Sequence, residues 1–182
     1  MNINIYTELT PNPATMKFIV NKLLINGSVD FATKEAAEKS PFAKELFKFS
    51  FVNGVFFASN FVTVTKFEND SWDDLMPILK EFVKGAVESE LVVQVEETPE
   101  VDFEGTDIEI KIQQILNDYV RPAVEQDGGA ITYKAFDAGV VTVELRGSCS
   151  GCPSSTVTLK AGIENLLKRM VPEVTEVVSE AL

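Results

Sequence analysis

The first half of the chain contains short stretches in which apolar and polar side chains alternate, which is the pattern of a half-buried β-strand. Ile3 to Tyr6 and Met16 to Val20 each predict one strand. Val55 to Phe67 is longer and predicts two strands that meet near Ser59 and Asn60. We therefore expect a β-sheet in this half.

Helical spacing of apolar residues predicts two helices in the same half. Lys34 to Phe49 predicts a helix that is broken at Pro41, because proline has no N–H to donate. A second helix follows the capping residue Ser71 and extends to about Ala86. Pro77 is expected to kink this helix or to move its start. Together, strands and helices predict an N-terminal domain of mixed α/β structure.

The second half begins with a helix signal. Thr106 and Glu109 have the spacing of a capping box, and the apolar residues that follow share one helical face. We predict a helix over residues 107 to 121. The apolar positions of this face are Ile108, Ile112, Ile115, Leu116 and Tyr119.

A hairpin, a second helix and a closing strand follow. Ile131 to Phe136 and Val140 to Arg146 alternate on either side of a short polar turn, which is typical of a β-hairpin. Apolar residues from Leu159 to Met170 have helical spacing, and Val174 to Val178 predicts a strand. The order αββαβ predicts a three-stranded sheet covered by helices on one face.

An acidic segment separates the two halves. Residues 96 to 109 carry seven acids and no base, and eleven of the thirteen phenylalanines precede this segment. A segment with charges of one sign repels itself and extends, as a linker does. We therefore predict an α+β protein with an N-terminal domain at 1–95, an acidic linker at 96–106 and a C-terminal domain at 107–182.

Composition excludes several classes of function. The 182 residues are 45% hydrophobic and 24% charged, as in an ordinary globular protein. A net charge of -12 without any basic run argues against nucleic acid as a partner. No apolar stretch approaches the roughly 20 residues that span a bilayer, and a strand pattern follows Met1 without room for a targeting segment. We expect a cytoplasmic protein that binds neither nucleic acid nor membrane.

The candidate chemistry lies in Cys149-Ser150-Gly151-Cys152-Pro153, which holds both cysteines of a chain that has no histidine. A structural zinc or an iron-sulfur cluster takes about four soft ligands, so this pair is half of such a site. Either the thiols act as a dithiol/disulfide couple, or a second chain supplies the other two ligands. No catalytic constellation is recognisable elsewhere, so we do not expect an enzyme.

The residue after the second cysteine indicates where the loop ends. Proline is favoured at the first position of a helix, so Pro153 predicts a helix that begins directly after Cys152. The N-terminus of a helix stabilises an anion. We therefore expect a lowered pKa for Cys149 and Cys152. Because small residues surround them, we also expect any centre that they bind to lie near the surface, where other thiols reach it.

Motifs spread over the whole chain carry a family resemblance. In the second half they are Asp127-Gly128-Gly129, Gly147 to Ser155, Thr158 to Glu164 and Val171 to Val174; in the first half they are Thr10 to Pro13, Met16 to Phe18, Pro41 to Ala43, Leu46-Phe47, Val55 to Phe57 and Phe61 to Lys66. In that order they resemble the C-terminal and N-terminal domains of the NifU-like (Nfu) iron-sulfur scaffold family. One departure is Ala130, where the family commonly has an acid.

The resemblance implies a function and a ligand set. Nfu proteins hold a [4Fe-4S] cluster, made of iron and sulfide, between the CxxC motifs of two subunits and deliver it to apo-proteins. It implies that Cys149 and Cys152 bind the cluster and that the chain forms a homodimer through it. Upstream cluster assembly proteins and recipient apo iron-sulfur proteins are the implied partners. Arg146 and Lys160 flank the loop and are candidates to balance the negative charge of the cluster.

Two alternatives to this function are a dithiol/disulfide oxidoreductase and a structural zinc-bridged dimer. A CxxC motif at a helix start suits the first, although the predicted αββαβ order differs from a thioredoxin-like βαβ start. Four thiolates suit zinc as well as iron. For the N-terminal domain, which has no cysteine, our hypothesis is recognition of partner proteins.

Overall fold

The computed structural model describes residues 2–67, 70–93, 105–149 and 153–181, with the side chains of 153–156 and 181 left out. The chain forms two compact units, Met1–Thr98 and Pro99–Leu182, called here the first and the second unit. Each unit combines one β-sheet with helices, so the predicted α+β class is confirmed. Most of the predicted linker, residues 96–104, lies outside the described residues, and its extended form stays a prediction.

The first unit is built on a five-stranded antiparallel sheet with the order β1-β2-β5-β4-β3. Its register aligns Val62 of the β5 strand with both Phe18 and Phe57, so the three side chains fall on one face. The strands are β1 (Ile5–Leu9), β2 (Thr15–Val20), β3 (Ser28–Phe31), β4 (Val52–Ala58) and β5 (Phe61–Lys66).

Most strand predictions for this unit are confirmed, with two differences. The first strand begins two residues later than predicted, at Ile5, and Ile3 is buried outside it. The sequence also missed β3, which has four residues and lies at the edge of the described sheet, paired with β4. The turn predicted near Ser59 joins β4 to β5, and Ser59 has a positive φ of 47° there.

Helices begin in the first unit where a side chain caps them. The predicted break at Pro41 is the start of α1 (Pro41–Leu46), because the Ser40 hydroxyl accepts a hydrogen bond from the Ala43 N–H at 3.3 Å. A short 3₁₀ turn, Ala36–Lys39, precedes it. The longer helix α2 (Trp72–Glu88) begins after Ser71, as predicted, and Pro77 does not move its start.

Aromatic rings fill the core of the first unit. The Phe42 ring lies 5.1 Å from that of Phe57 and 6.2 Å from that of Phe82, and the Phe31 ring lies 6.2 Å from Phe57. Aromatic pairs at such distances add to the stability that burial alone provides. Sheet and helix residues join in one cluster that includes Phe18, Leu46, Val62, Val64, Leu79 and Val83.

The second unit contains the predicted three-stranded sheet, with the order β6-β7-β8. The hairpin consists of β6 (Gly129–Asp137) and β7 (Val140–Gly147), and the closing strand β8 (Glu176–Ala181) runs parallel to β7. Parallel neighbours need a crossover connection, which here is α5 (Pro153–Met170). The predicted αββαβ order is therefore confirmed.

The first helix of this unit is longer than predicted. It begins as α3 (Asp107–Ile115) with both hydrogen bonds of the capping box, continues through a π-helical turn (Leu116–Val120) and ends as α4 (Arg121–Gln126). The predicted end at residue 121 was wrong, because the π-helical turn carries the chain past Pro122. The described helices include none that is long and apolar enough to cross a membrane.

An aliphatic core joins these elements. The β7 strand turns Val141, Val143 and Leu145 towards the helices, where they pack with Ile112 and Leu167. In the C-terminal half of α5, the Glu164 carboxylate accepts a hydrogen bond from the Val177 N–H of β8 at 3.1 Å. This core packs β7 against α5, and the cysteines lie between these two elements in the sequence.

Candidate metal centre

The cysteine loop connects the end of β7 to the start of α5. Cys149 follows Gly147 by two residues, and α5 begins at Pro153, which confirms the predicted helix start. Residues 150–152 lie outside the described residues, so Cys152 stays a ligand by prediction. The described structure therefore places one of the two predicted site residues.

Ser148 holds the approach to the loop against the turn between α4 and β6. Its hydroxyl donates a hydrogen bond to the Asp127 carbonyl, and its N–H donates to the Gly128 carbonyl at 3.3 Å. Gly128 and Gly147 have positive φ angles of 82° and 67°, which side chains rarely adopt. Two segments about twenty residues apart are thus joined directly beside Cys149.

Gly129 provides the space that the Cys149 side chain occupies. A Cβ atom on Gly129 would lie 2.7 Å from Cys149 Sγ and 2.6 Å from the Arg146 carbonyl oxygen, closer than real contacts allow. The sequence predicted these glycines for the turn alone and missed this packing role. The residue types hold no signal for it, because the contact depends on the pairing of Gly129 with Gly147 in the hairpin.

Cys149 is buried, with 6% of its surface exposed, and its side chain belongs to the aliphatic core of the second unit. Burial raises the pKa of the Cys149 thiol, and the nearby Asp127 carboxylate also raises it, whereas the Ser148 hydrogen bond lowers it. The predicted lowering of the Cys149 pKa was therefore wrong, whereas the expected position of a bound centre near the surface stays a prediction. The sulfur lies against Gly129 and the core, so desolvation decides the direction of the shift.

The cations predicted beside the loop already have carboxylate partners. Arg146 Nε lies 2.7 Å from Glu144 Oε1, and Lys160 Nζ lies 3.9 Å from Glu176 Oε1. Lys134 also pairs with Glu144, whose side chain is only 4% exposed. Burial alone would raise the pKa of Glu144, but hydrogen bonds from Arg146 and Lys134 lower it below its ordinary value.

Glu144 is a site-adjacent residue that sequence reasoning missed. Its signal was the alternation of β7, in which Thr142, Glu144 and Arg146 share the face opposite the core. Lys134 comes from the neighbouring strand β6, where the register shifts between Tyr133 and Ala135. The ion cluster therefore fixes the Arg146 side chain just before the loop.

Within the described ranges, no group of three or more His, Cys, Asp or Glu side chains is arranged to hold a metal ion. The two thiols of the loop are thus the soft ligands that this chain offers. A four-thiolate site requires ligands from elsewhere.

Two family descriptions match the chain, one for each unit. Residues 5–90 match the N-terminal domain of the scaffold protein Nfu/NifU, and residues 112–178 match the NifU-like domain. A human protein named NFU1 iron-sulfur cluster scaffold homolog, mitochondrial, is 42% identical over 176 residues, which cover 93% of this chain and 69% of that protein. The chain belongs to the Nfu family of iron-sulfur cluster scaffold proteins.

Other relatives agree with this assignment to the Nfu family. The protein of the same name from Drosophila erecta is 38% identical over 179 residues, covering 95% of this chain but 63% of its own length. The chain thus spans about two thirds of the length of these Nfu relatives. A solution structure of a NifU-like protein from Saccharomyces cerevisiae is similar over 52% of this chain and 87% of that chain, with 19% identity and a TM-score of 0.46.

Two further predictions from the sequence concern the position of Ala130 and the cellular compartment of the protein. Ala130, the departure from the family pattern, lies in β6 opposite Arg146 and is buried, outside the cysteine loop. The names of the human and fly relatives place those proteins in mitochondria, whereas the sequence predicts a cytoplasmic compartment for this chain. The compartment stays a prediction.

Proposed function

We propose that the chain binds a [4Fe-4S] cluster between Cys149 and Cys152 of two subunits and transfers it to apo iron-sulfur proteins. The observation that carries the proposal is the placement of Cys149 at the junction of β7 and α5, with Gly129 leaving room for its sulfur. Membership in a scaffold family supports a cluster as cargo. Upstream assembly proteins supply the cluster, and the protein acts as a carrier rather than an enzyme.

The number of thiols favours a homodimer. A [4Fe-4S] cluster takes about four cysteine ligands, and each chain has two cysteines and no histidine. Two chains related by a two-fold axis supply the required set without a third component. The cluster then forms part of the interface, so its removal favours separate chains.

The burial of Cys149 disfavours the oxidoreductase alternative. A reactive dithiol needs an exposed thiol with a lowered pKa, whereas burial raises the pKa of Cys149. Metal binding tolerates a raised pKa, because the ion displaces the thiol proton. For transfer, the loop must open far enough for the thiolates of the recipient to reach the cluster.

Anaerobic reconstitution of the full chain with iron and sulfide tests the ligands and the stoichiometry. We expect about four irons per two chains, a brown protein and a dimer in sedimentation. Cys149→Ser and Cys152→Ser each remove two of the four thiolates from the dimer and should abolish the stable cluster. Ser89→Ala is the control, because Ser89 belongs to the first unit and is far from both cysteines in the sequence. It should bind as much iron and sulfide as the wild type does.

Three results would contradict this proposal. A monomer that keeps the full cluster without added thiol excludes the bridging arrangement. A cysteine variant with wild-type iron and sulfide excludes that residue as a ligand. A colourless protein that retains zinc as purified, and refuses iron after the zinc is removed, supports the structural zinc dimer.

Transfer needs its own experiment. Holo protein is mixed with an apo-acceptor of the [4Fe-4S] class, with and without a strong iron chelator, and the activity of the acceptor is followed. We expect similar rates in both arms, because ligands exchange one at a time and no iron is released. If the chelator stops activation, the iron passes through solution and the protein is a store.

We also propose the predicted division into domains 1–95 and 107–182 with a linker at 96–106. Limited proteolysis should cut first within 96–106, since an exposed charged segment is readily cleaved. The purified fragment from about residue 105 to 182, which keeps the Thr106 cap of α3, should still load a cluster. A fragment that folds but cannot load would make the N-terminal domain part of the site.

A further inference from the structure

The outer face of α2 carries an apolar groove that plays no part in the cysteine loop. It has a volume of about 470 Å³ and is lined by Phe49, Ile78, Phe82, Gly85 and Leu91, with Glu81 as the charged residue among those lining it. Ile78 is 48% exposed, and Glu81 and Gly85 are also exposed, whereas Phe49, Phe82 and Leu91 are partly buried. We call these residues the α2 groove.

Rigid aromatic rings form the floor of the α2 groove. The Phe49 ring meets the Phe82 ring edge-on at 5.2 Å and stacks on the Phe51 ring at 5.3 Å. Phe82 also contacts Phe42 in the core. The floor is therefore fixed before any partner arrives, which lowers the entropy cost of binding.

Gly85 has no structural reason within the first unit to be glycine. It lies inside α2, a Cβ atom there would meet nothing within 4 Å among the described residues, and its φ is not positive. Glycine inside a helix lowers helix stability relative to alanine. With Ala86 and Ser89 beside it in the groove, Gly85 leaves the α2 backbone open to close approach by another helix.

The negative charge of Glu81 restricts which partner segments can bind in the α2 groove. Glu81 has no salt bridge among the described residues, although Lys80 and Lys84 are close to it on α2; Lys84 pairs with Glu88 at 3.9 Å. A partner with a lysine or arginine opposite Glu81 would complete an ion pair at the edge of an apolar contact. From Ile78 to Ser89 the face is about 16 Å long at 1.5 Å per residue, which matches about three turns of helix.

We propose that the α2 groove binds an amphipathic helix of a partner protein, with apolar residues three or four positions apart and a basic residue facing Glu81. This is the helix-in-groove mode of recognition, in which apolar side chains anchor the helix and charge selects it. It gives the first unit a specific surface for partner recognition. The proposal does not depend on the cluster proposed for the second unit.

Fluorescence anisotropy on the full chain tests the proposal with two labelled helical peptides of about fourteen residues, or four turns. One contains leucine and lysine in an amphipathic pattern, and the other has glutamate in place of lysine. We expect the wild type to bind the lysine peptide at least about tenfold more tightly than the glutamate peptide. Glu81→Lys should reverse this preference, whereas Glu35→Lys, the same charge change elsewhere in the first unit, should not.

A substitution that fills the α2 groove with a larger side chain provides a second test of the proposal. Gly85→Leu should weaken binding of the lysine peptide by about tenfold or more, the effect expected at the centre of an interface. Gly162→Leu is the matched control, because a Cβ at that helical glycine also meets nothing within 4 Å in the part of the chain that the structure describes, and it should bind as the wild type does. Circular dichroism confirms that each variant is folded.

Two outcomes overturn the proposal. Peptide binding that is unaffected by Gly85→Leu places the contact elsewhere, and binding that ignores Glu81→Lys shows only attraction to the net negative charge. A change of oligomeric state in Gly85→Leu without peptide, seen by sedimentation, would instead assign the groove to a second copy of the chain.

Discussion

The two units differ in how their strands are connected, and this difference accounts for where the candidate metal centre lies. In the first unit all neighbouring strands are antiparallel, and a two-residue turn joins β4 to β5. In the second unit β7 and β8 are parallel, so a helix must cross between them. The crossover brings the start of α5 to the end of β7, and the cysteine loop occupies that junction.

The cores differ as well. The first unit is packed with phenylalanine, whereas the second is packed with aliphatic side chains and includes Cys149 itself. Deletions in the first core should therefore alter stability without altering metal binding, while changes near Cys149 should alter both. This separation can be tested by substitutions matched between the units.

The largest effect is expected from Phe42→Ala. Phe42 is fully buried between Phe57 and Phe82, and deletion of such a ring costs about 3 to 5 kcal/mol. Urea unfolding followed by the fluorescence of Trp72, the single tryptophan, measures the loss in the first unit. Reconstituted iron per chain should not change.

Leu167→Ala is the counterpart for this experiment. Leu167 is equally buried in the second core, and its truncation costs about 2 to 5 kcal/mol. The Trp72 transition should stay at its wild-type midpoint if the units unfold separately. An equal shift in both variants would mean that the chain unfolds as one cooperative body.

The next largest effect is expected at Gly129. A substitution there tests whether packing around Cys149 affects iron binding in addition to the stability of the protein. Gly129→Ala places a methyl group against Cys149 Sγ and the Arg146 carbonyl, and overpacking of this kind costs about 1 to 3 kcal/mol. We expect lower stability and reduced iron after reconstitution, because Cys149 must move. Iron content and the melting temperature measure the two effects.

Gly162→Ala is the control for Gly129→Ala. A Cβ at Gly162, inside α5, meets no described atom within 4 Å, so alanine should stabilise the helix by about 0.5 to 1 kcal/mol. Full iron content in Gly129→Ala would show that the contact with Cys149 does not position a ligand.

Local patterns predicted most of the fold. The capping box at Thr106, the hairpin of β6 and β7, and the start of α5 at Pro153 depend on residues that are close in sequence. The short strand β3 was missed because two of its four residues are polar and its pairing with β4 defines it. The end of the first helix was misplaced because Pro122 resembles a stop when the π-helical turn is unknown.

The sequence predicted where the cysteine loop lies, but it did not predict which residues surround Cys149. The spacing of the cysteines and Pro153 placed the loop before a helix, which the structure confirms for the helix start. Burial of Cys149 follows from Gly129, twenty residues earlier, and from the Ser148 bond to Asp127. Such contacts depend on how the hairpin pairs, which the residue types alone do not encode.

A smaller effect is expected at Glu144, and it depends on pH. The Glu144 pKa is lowered in the folded protein, so its stabilising contribution is present above its unfolded pKa near 4.5 and is lost as the pH falls through the folded value. At pH 7, Glu144→Gln should cost about 1 to 2 kcal/mol, because Lys134 and Arg146 remain beside a neutral amide and are partly exposed to water.

The measurement for Glu144 is thermal unfolding of wild type and variant between pH 7 and pH 3. The difference in melting temperature should shrink towards acid pH, while Glu173→Gln, at an exposed position, should show no such trend. A constant difference across the range would mean that the carboxylate charge contributes nothing and that the cost is one of packing.

The smallest effect compares the helix caps of the two units. The Thr106 N–H donates to Glu109 at 2.8 Å, the Glu109 N–H donates to the Thr106 hydroxyl at 3.4 Å, and the Tyr133 hydroxyl also donates to Glu109 at 3.0 Å. Ser71 accepts a single bond from the Asp73 N–H at 3.4 Å. Thr106→Ala should therefore cost about 1 kcal/mol and Ser71→Ala about half as much. Amide hydrogen exchange in the first turns of α3 and α2 measures each loss where it occurs, and a greater loss for Ser71→Ala would show that the reciprocal bonds and the link to β6 add no stability to the second unit.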